Sequence, residues 1–419
     1  MELPVFDALN QYTAGDPARL HMPGHKGRLA FPPLSLDVTE LDETGNLFAE
    51  DGAFARSARL AAEVYGAGGA AYSAGGSTLY IQGMIAHFLA GKKKIVLQRS
   101  CHRSAANTAA LLGLEPVWLC AREPAALMEE LKTVIGTADA VLLTSPDYFG
   151  RCLPLEAASE LCKKRGIPLL TDAAHGAHFP VAGLPDPLAA GADAVCVSLH
   201  KTLPALTGAA LVLTRRAEDA GAIRRVMSCF GSSSPSFLIA LSAERAALTL
   251  PESRPRWEEL RRRTRPLHAH SCVLKNDDFS KLWIALNGAD PETVTGLLRR
   301  ERLSAELRDA GQLLFLLTPE NTPDELERVD RFLTALDALH PTPPDEPEVR
   351  LPTLRMAPHE AFCARTERLS PEDAVGRICA RTVNVCPPCS CLLCCGEEID
   401  RATAVFLKST GISRVDVVK

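Results

Sequence analysis

A lysine lies between two apolar runs of the sequence, at a position suited to covalent chemistry. Lys201 follows the run at 193–197 and precedes the run at 209–213, with Ser198 and His200 beside it. Burial at the end of a strand lowers the pKa of a lysine, so that its neutral amine can attack a carbonyl carbon. The pattern predicts a lysine that forms a Schiff base.

A carboxylate stands at the end of another apolar run. Asp172 follows the run at 168–170. A carboxylate that meets a pyridinium nitrogen and a lysine that meets an aldehyde are the pair that pyridoxal 5'-phosphate (PLP) requires. Each residue also has a simpler interpretation, because Asp172 could cap a turn and Lys201 could extend its amine into solvent.

Two further segments strengthen the PLP interpretation. The stretch Gly75-Gly76-Ser77-Thr78 precedes a predicted helix at 79–89, and it offers backbone N–H groups, hydroxyls and a helix N-terminus to a phosphate. The same residues would also make an ordinary helix cap. His102 follows a predicted strand and could lie on an aromatic cofactor face or be structural. The conjunction of all four features, in this order, predicts a PLP site.

These residues must be positioned by a sheet. From about 93 to 214, short apolar runs alternate with segments of helical spacing, which predicts βαβ units and a mainly parallel sheet. Ligands bind beyond the carboxyl ends of such strands. His102, Asp172 and Lys201 each follow a strand closely, so we expect them to converge in one crevice.

The remaining chain predicts additional units. Residues 251–265, rich in Pro and Arg, are typical of a hinge, and 340–352 has the composition of a linker. Capping residues before proline at Asp290 and Thr322 predict two helix starts. The predicted divisions are an N-terminal arm at 1–30, a large PLP-binding domain at 31–250, a small α/β domain at 266–340 and a C-terminal segment at 353–419.

Composition limits the class of protein. Among 419 residues, 46 Lys+Arg stand against 51 Asp+Glu, for a net charge of -5, which gives no general attraction to nucleic acid or to anionic membranes. No apolar run approaches the roughly 18 residues of a membrane span, and no signal peptide is evident. We therefore expect a cytoplasmic protein whose 14 cysteines are mostly reduced thiols.

Several long motifs resemble the Orn/Lys/Arg decarboxylases, a family of fold-type-I PLP-dependent amino acid decarboxylases. The similar segments are Leu20 to Gly27 (LHMPGHKG), Asp37 to Leu41, Ser100 to Ser104, Asp172 to Phe179, Ser198 to Thr207 and Ser232 to Ser236. The resemblance implies an α/β fold with a mainly parallel large-domain sheet, a small-molecule amino acid substrate, and a homodimer or larger homo-oligomer with its active site at a subunit interface.

The resemblance also implies roles for single residues. Lys201 would hold PLP as an internal aldimine and release it to the substrate amine, and loss of CO₂ would give a quinonoid intermediate. Asp172 would keep the pyridine nitrogen protonated, while His102 and Ala174 would pack on the two ring faces. His175 would lie near the phenolic oxygen.

The resemblance further implies a phosphate site. Gly76 would permit close backbone approach. The side chains that would hold the phosphate are those of Ser77, Thr78, Ser198 and His200, with Ser234 reaching the phosphate of the neighbouring subunit.

The chain departs from the family pattern on the substrate side. Ala173 replaces a glutamate, Cys386 replaces a tyrosine, and Arg381 replaces an acidic or amide residue. An arginine would repel the distal cation of lysine, arginine or ornithine, which predicts a neutral or acidic substrate. In the alternative, Arg381 points away and another group binds the substrate.

Closely spaced cysteines occupy the same region. Cys386 and Cys389 have the Cys-x-x-Cys spacing of metal and redox sites, and Cys391 and Cys394 repeat it. Because the pairs overlap in a loop that contains Pro-Pro, we favour reduced thiols over a metal site. Two other functions remain open: a PLP lyase or aminotransferase-like enzyme acting on a non-basic amino acid, and a non-catalytic relative that keeps the fold.

Overall fold

The structure is a computed structural model that describes residues 11–29, 34–344, 351–385 and 390–419. None of the helices in these ranges is long and apolar enough to cross a membrane. The strands are β1 Ala18–Leu20, β2 Gly69–Ser73, β3 Lys94–Gln98, β4 Glu115–Leu119, β5 Ala140–Thr144, β6 Leu169–Asp172, β7 Ala194–Val197, β8 Ala210–Thr214, β9 Val273–Leu274, β10 Lys281–Ala285, β11 Leu303–Ala305, β12 Leu307–Arg308, β13 Gln312–Leu316, β14 Thr366–Leu369, β15 Val383–Val385, β16 Ser390–Leu393 and β17 Val415–Val418.

The α-helices of the described residues vary from single turns to about four turns. They are α1 Gly52–Val64, α2 Gly76–Phe88, α3 Arg103–Leu111, α4 Pro124–Val134, α5 Leu155–Arg165, α6 Phe179–Ala182, α7 Leu199–Thr202, α8 Ala217–Met227, α9 Phe237–Leu248, α10 Arg254–Thr264, α11 Pro291–Arg300, α12 Pro323–Asp337, α13 Pro358–Cys363 and α14 Arg401–Ser409. Short 3₁₀ helices lie at Leu34–Leu36, Ile135–Thr137, Pro251–Ser253 and Leu267–Ala269.

A seven-stranded sheet lies in the predicted large domain, in the order β2-β8-β7-β6-β5-β3-β4. Strands β4, β3, β5, β6 and β7 run parallel, whereas β8 pairs antiparallel with both β7 and β2. The mainly parallel α/β fold predicted from the sequence is confirmed. Strand β2 was not predicted from the sequence. The whole strand is buried, but Gly69, Ala70 and Ala71 are small and do not form a recognisable apolar run.

Both faces of this sheet are covered. Neighbouring strand residues alternate between two apolar clusters, so that Val96 packs in one while Ile95 and Leu97 pack in the other. The second cluster also contains residues of α2, α3 and α8. Since a buried parallel sheet needs cover on each face, this alternation produces a three-layer α/β structure whose strand ends alone remain available for a site.

A second sheet of four antiparallel strands, β12-β13-β10-β9, lies in the predicted small domain. Strand β1 of the N-terminal arm pairs in parallel with β11 of this region. The two predicted helix starts are confirmed, since Asp290 caps α11 and a capping box joins Thr322 to Glu325 at α12. The arm is thus attached to the small domain by backbone hydrogen bonds.

The segment at 251–265, predicted to be a hinge from its composition, has regular structure. It contains a 3₁₀ turn and the regular helix α10, with proline in its first turn, where the missing N–H costs nothing. Trp257 on α10 is buried and stacks on His178 with ring centroids 4.3 Å apart. Residues 251–264 therefore form a packed helical connection between the domains.

The C-terminal segment forms two antiparallel strand pairs, β14 with β17 and β15 with β16. Its own apolar cluster includes Leu393, Leu407 and Val417. Cys391 and Cys394 instead join the cluster beneath α2 and α3 of the large domain. The segment therefore packs against the same edge of the sheet that carries His102.

Candidate active site

Lys201 lies on the single-turn helix α7, directly after β7. Its Nζ is 3.1 Å from Nε2 of His175, which follows the neighbouring strand β6. Burial, together with the positive charges of Lys201 and Lys281, places the pKa of His175 well below its ordinary value. The imidazole is therefore neutral at pH 7, and Nε2 can accept a hydrogen bond from the lysine amine.

Asp172 is the last residue of β6 and is buried. Its Oδ1 accepts the N–H of Ala174 at 3.1 Å and lies 3.6 Å from the Cys196 thiol. These are the hydrogen bonds that the described residues make to the Asp172 carboxylate, so Oδ2 is left for a further donor. The carbonyl of Ala174 in turn accepts the N–H of Ser198, which ties the end of β6 to the end of β7.

His102 is the N-cap residue of α3, and its Nδ1 accepts the N–H of Ser104 at 3.2 Å. Burial lowers the pKa of His102, with Asp172 opposing the shift and Lys201 adding to it. The cap fixes the ring at the start of the helix, within electrostatic reach of both residues.

The predicted phosphate site is built from two strand ends and one helix N-terminus. The buried hydroxyls of Ser77 and Ser198 lie 2.6 Å apart, although they are 121 residues apart in the chain. Gly76 has a φ of +73° and donates its N–H to the carbonyl of Gly208. A Cβ built on Gly76 would meet nothing within 4 Å, so there is open space above this glycine.

The other predicted phosphate ligands differ in position. Thr78 is exposed in the first turn of α2. His200 is held by its Nδ1, which lies 3.0 Å from the carbonyl oxygen of Ala209. Ser234 is exposed in the loop before α9 and donates its N–H to Ser232, so its contact with a neighbouring subunit stays a prediction.

Three residues that the sequence reasoning did not identify surround this site. The Tyr148 ring meets the His175 ring edge-on, with centroids 5.2 Å apart, and its hydroxyl donates to Glu306 at 2.7 Å. Lys281 is fully buried and donates to the carbonyls of Asp147 and Tyr148. Tyr148 follows β5, so the strand-end rule could have found it. Glu306 follows a three-residue strand that no apolar pattern marked.

The C-terminal segment reaches this region through a buried ion pair. Arg99, one residue beyond β3, makes two 2.7 Å bonds to the carboxylate of Glu397. Backbone and thiol contacts of Cys391 to Arg99 and Cys101 continue the junction. The segment thus braces the chain that leads into His102.

Arg381 is bound within the C-terminal segment. Its Nη1 donates to the carbonyls of Phe362 and Ala380, and its guanidinium lies over the Phe362 ring at 4.8 Å. The side chain of Ala173, the other departure on the substrate side, packs in the main apolar core. The structure supports the alternative in which Arg381 points away.

The cysteine candidates fall partly outside the structure. Cys386 and Cys389 are not among the described residues. Cys391 and Cys394 are buried, and their thiol pKa values lie well above the ordinary value: a contact with Cys101 is the largest cause for the first, and burial for the second. Within the described ranges no group of three or more His, Cys, Asp or Glu could hold a metal ion.

A mainly parallel sheet with a lysine after one strand and a carboxylate after the next is the arrangement of fold-type-I PLP-dependent enzymes. A sequence model of the Orn/Lys/Arg decarboxylase major domain matches residues 3–284. The chain belongs to the Orn/Lys/Arg decarboxylase family of PLP-dependent amino acid decarboxylases.

Individual relatives agree with this membership. The chain is similar to an arginine decarboxylase of Bacillus subtilis, with 27% identity over 97% of this chain and 93% of the relative. An arginine decarboxylase of Halalkalibacterium halodurans is 26% identical, with the same shares of both chains covered.

Solved structures share the fold. Lysine decarboxylase A from Pseudomonas aeruginosa superposes with a TM-score of 0.72 and 16% identity, covering 99% of this chain and 82% of that one. A structure of SPT with PLP has a TM-score of 0.55 and 20% identity, covering 68% of this chain and 77% of that one.

Proposed function

We propose that this protein removes the α-carboxylate of a basic amino acid, with PLP held by Lys201 and arginine as the first substrate to test. The observation that carries the proposal is the 3.1 Å contact between Lys201 Nζ and the neutral His175, next to Asp172. Relatives named arginine decarboxylase support the choice of substrate.

The residues present fit the cofactor. Asp172 Oδ2 suits the protonated nitrogen of a pyridine ring, and Nδ1 of His175 is buried without a hydrogen-bond partner, so a ligand would satisfy it. The N–H groups of the first turn of α2 that follow Gly76 have no partner within the helix, and no side chain caps them. Together with Ser77 and Ser198, they suit a phosphate.

Each residue has a defined task in this proposal. When bound, PLP supplies an electron-withdrawing ring for the electron pair that departing CO₂ leaves on the α-carbon. Asp172 would hold a proton on the pyridine nitrogen, and His102, fixed by its helix cap, would cover a ring face. Neutral His175 accepts the hydrogen bond of Lys201 Nζ, which keeps the amine positioned and available to react.

The substrate proposal replaces the neutral or acidic substrate that Arg381 led us to expect. The guanidinium of Arg381 is bound by two carbonyls and lies over the Phe362 ring, contacts that favour the alternative in which it points away from the substrate. The repulsion argument against a basic amino acid therefore loses its basis.

The working form is proposed to be a homodimer or larger homo-oligomer, which would bring Ser234 of one subunit to the phosphate of another. Support comes from the exposure of Ser234 in the single chain. Analytical ultracentrifugation tests this directly: a monomer that retains full activity would contradict it.

An amino acid panel with two readouts tests the function. We expect CO₂ release from arginine, lysine or ornithine, together with a change in the visible absorption of the PLP-loaded protein. Lys201→Ala should lower kcat/KM by roughly 10³-fold or more, the scale lost with a catalytic group. Keto acid formation without CO₂ would favour the aminotransferase-like alternative, and no turnover of any amino acid would favour a non-catalytic relative.

A further inference from the structure

Glu306 belongs to the small domain but contacts both other parts of the chain around the site. It lies between β11 and β12, and its backbone N–H donates to the carbonyl of Leu314 in β13, which fixes its position beside that strand. Its Oε1 accepts the hydroxyl of Tyr148 at 2.7 Å, and its Oε2 accepts the N–H of Met22 in the N-terminal arm at 2.8 Å. A carboxylate is thereby held where three segments meet.

A short series of contacts joins this carboxylate to the reactive lysine. Lys201 Nζ contacts His175, the His175 ring meets the Tyr148 ring, and the Tyr148 hydroxyl reaches Glu306. Glu306 also acts on the residue next to the lysine: burial lowers the pKa of His200, and the negative charge of Glu306 opposes that shift. The Glu306 carboxylate is therefore separated from the Lys201 amine by the side chains of His175 and Tyr148.

Glu306 retains capacity to bind a ligand. Each carboxylate oxygen has two lone pairs, and the described residues use one on each. The side chain is half-buried, and it forms no ion pair in the described part of the chain. The nearby amine of Lys26 is directed to the carbonyls of His21 and Leu316 instead. Two fixed oxygens with free lone pairs suit the parallel N–H groups of a guanidinium or a single ammonium.

The buried amine of Lys26 does not fully neutralise the carboxylate of Glu306. Burial lowers the pKa of Lys26 to about 7, against the pull of Glu306 and Glu325. Above that pH the amine is mostly neutral, so Lys26 does not supply a full positive charge beside Glu306. A cation from the substrate would supply it.

We propose that Glu306 binds the distal cation of the substrate and sets the preference for a basic amino acid. This inference rests on the proposed decarboxylation, and it assigns the charge selection to the small domain. Tyr148 and the Met22 amide act as positioning groups that hold the two carboxylate oxygens toward the substrate.

The test compares each amino acid with a neutral analogue: citrulline for arginine, and norleucine for lysine. In Glu306→Gln, we expect KM for the basic substrate to rise about 10- to 100-fold, the scale of a hydrogen bond to a charged group. The kcat should change little, and the ratio of kcat/KM between the basic and neutral members should fall by the same factor. Glu306→Asp, which keeps the charge, should retain the direction of preference.

The control is Glu292→Gln, the same chemical change at an exposed acid of α11. It should leave both members of each pair unaffected. If the wild-type protein decarboxylates a basic amino acid and Glu306→Gln keeps the wild-type ratio, the inference about Glu306 is overturned while the proposed function stands. If the wild type releases CO₂ from no basic amino acid, the proposed function fails first.

Discussion

Arg99 and Glu397 form a buried bidentate ion pair across 298 residues of sequence, with both N···O distances at 2.7 Å. The guanidinium also lies over the Trp118 ring at 4.9 Å and donates to the carbonyl of Leu392. Since Arg99 precedes His102 by only three residues, this pair secures the C-terminal segment to the chain that carries one wall of the site.

Glu397→Gln should destabilise the protein strongly. Removing one partner of a buried pair leaves an uncompensated charge, which costs about 3–5 kcal/mol. Urea unfolding monitored by far-UV circular dichroism measures the change in the free energy of unfolding. Glu398→Gln is the matched control, because its partner Arg355 is more than half exposed, and surface pairs contribute about 1 kcal/mol or less. Equal losses in the two variants would contradict the account.

Stability should fall as the pH drops below about 6.5, the ordinary pKa of histidine. Because the pKa of His175 is lowered by burial and by nearby lysines, the unfolded chain binds a proton at a pH where the folded chain does not. The contribution of neutral His175 to the free energy of unfolding is therefore fully present above pH 6.5, and it is lost as the pH falls through and below that value. Urea midpoints at pH 7.5, 6.5 and 5.5 measure this.

His175→Asn should flatten this pH profile, whereas the change His340→Asn at an exposed residue should not. If the stability of His175→Asn depends on pH as steeply as that of the wild type, the pH dependence comes from other groups. His102 and His200 are candidates, because their pKa values are also lowered.

Asp172→Asn should keep the fold and lose activity. The side chain keeps its shape, but it no longer stabilises a proton on the nitrogen placed against it. We expect kcat to fall about 10²–10⁴-fold, the scale of a proton-holding group. Steady-state CO₂ release measures kcat, and bound PLP is quantified by absorbance after alkaline release. Near wild-type kcat with PLP fully bound would remove Asp172 from its proposed role.

The strand-end rule located the core of the site but not its surroundings. Lys201 and Asp172 each end or follow a buried apolar strand, and such runs can be read locally. Glu306 and Glu397 become neighbours of the site only through tertiary packing, hundreds of residues from their partners, so no local pattern marks them. Arg381 shows a further limit: a sequence position does not reveal which way a long side chain turns.

The thiols of the C-terminal segment should react slowly. Neutral, buried thiols are poor nucleophiles, and the pKa values of Cys391 and Cys394 are raised well above the ordinary value. Cys229 and Cys363 are exposed. Timed iodoacetamide labelling with peptide mass spectrometry should show modification at these two before Cys391 and Cys394. The reverse order would revive a redox or metal role for that region.

The most direct measurement of the central claim is the identity of the amine that holds PLP. Borohydride reduction of the PLP-loaded protein fixes the cofactor to that amine, and digestion with mass spectrometry then identifies the residue. The account predicts a phosphopyridoxyl group on Lys201, and none after Lys201→Ala. A label on buried Lys281 or Lys26, or a reduced protein without a label, would contradict it.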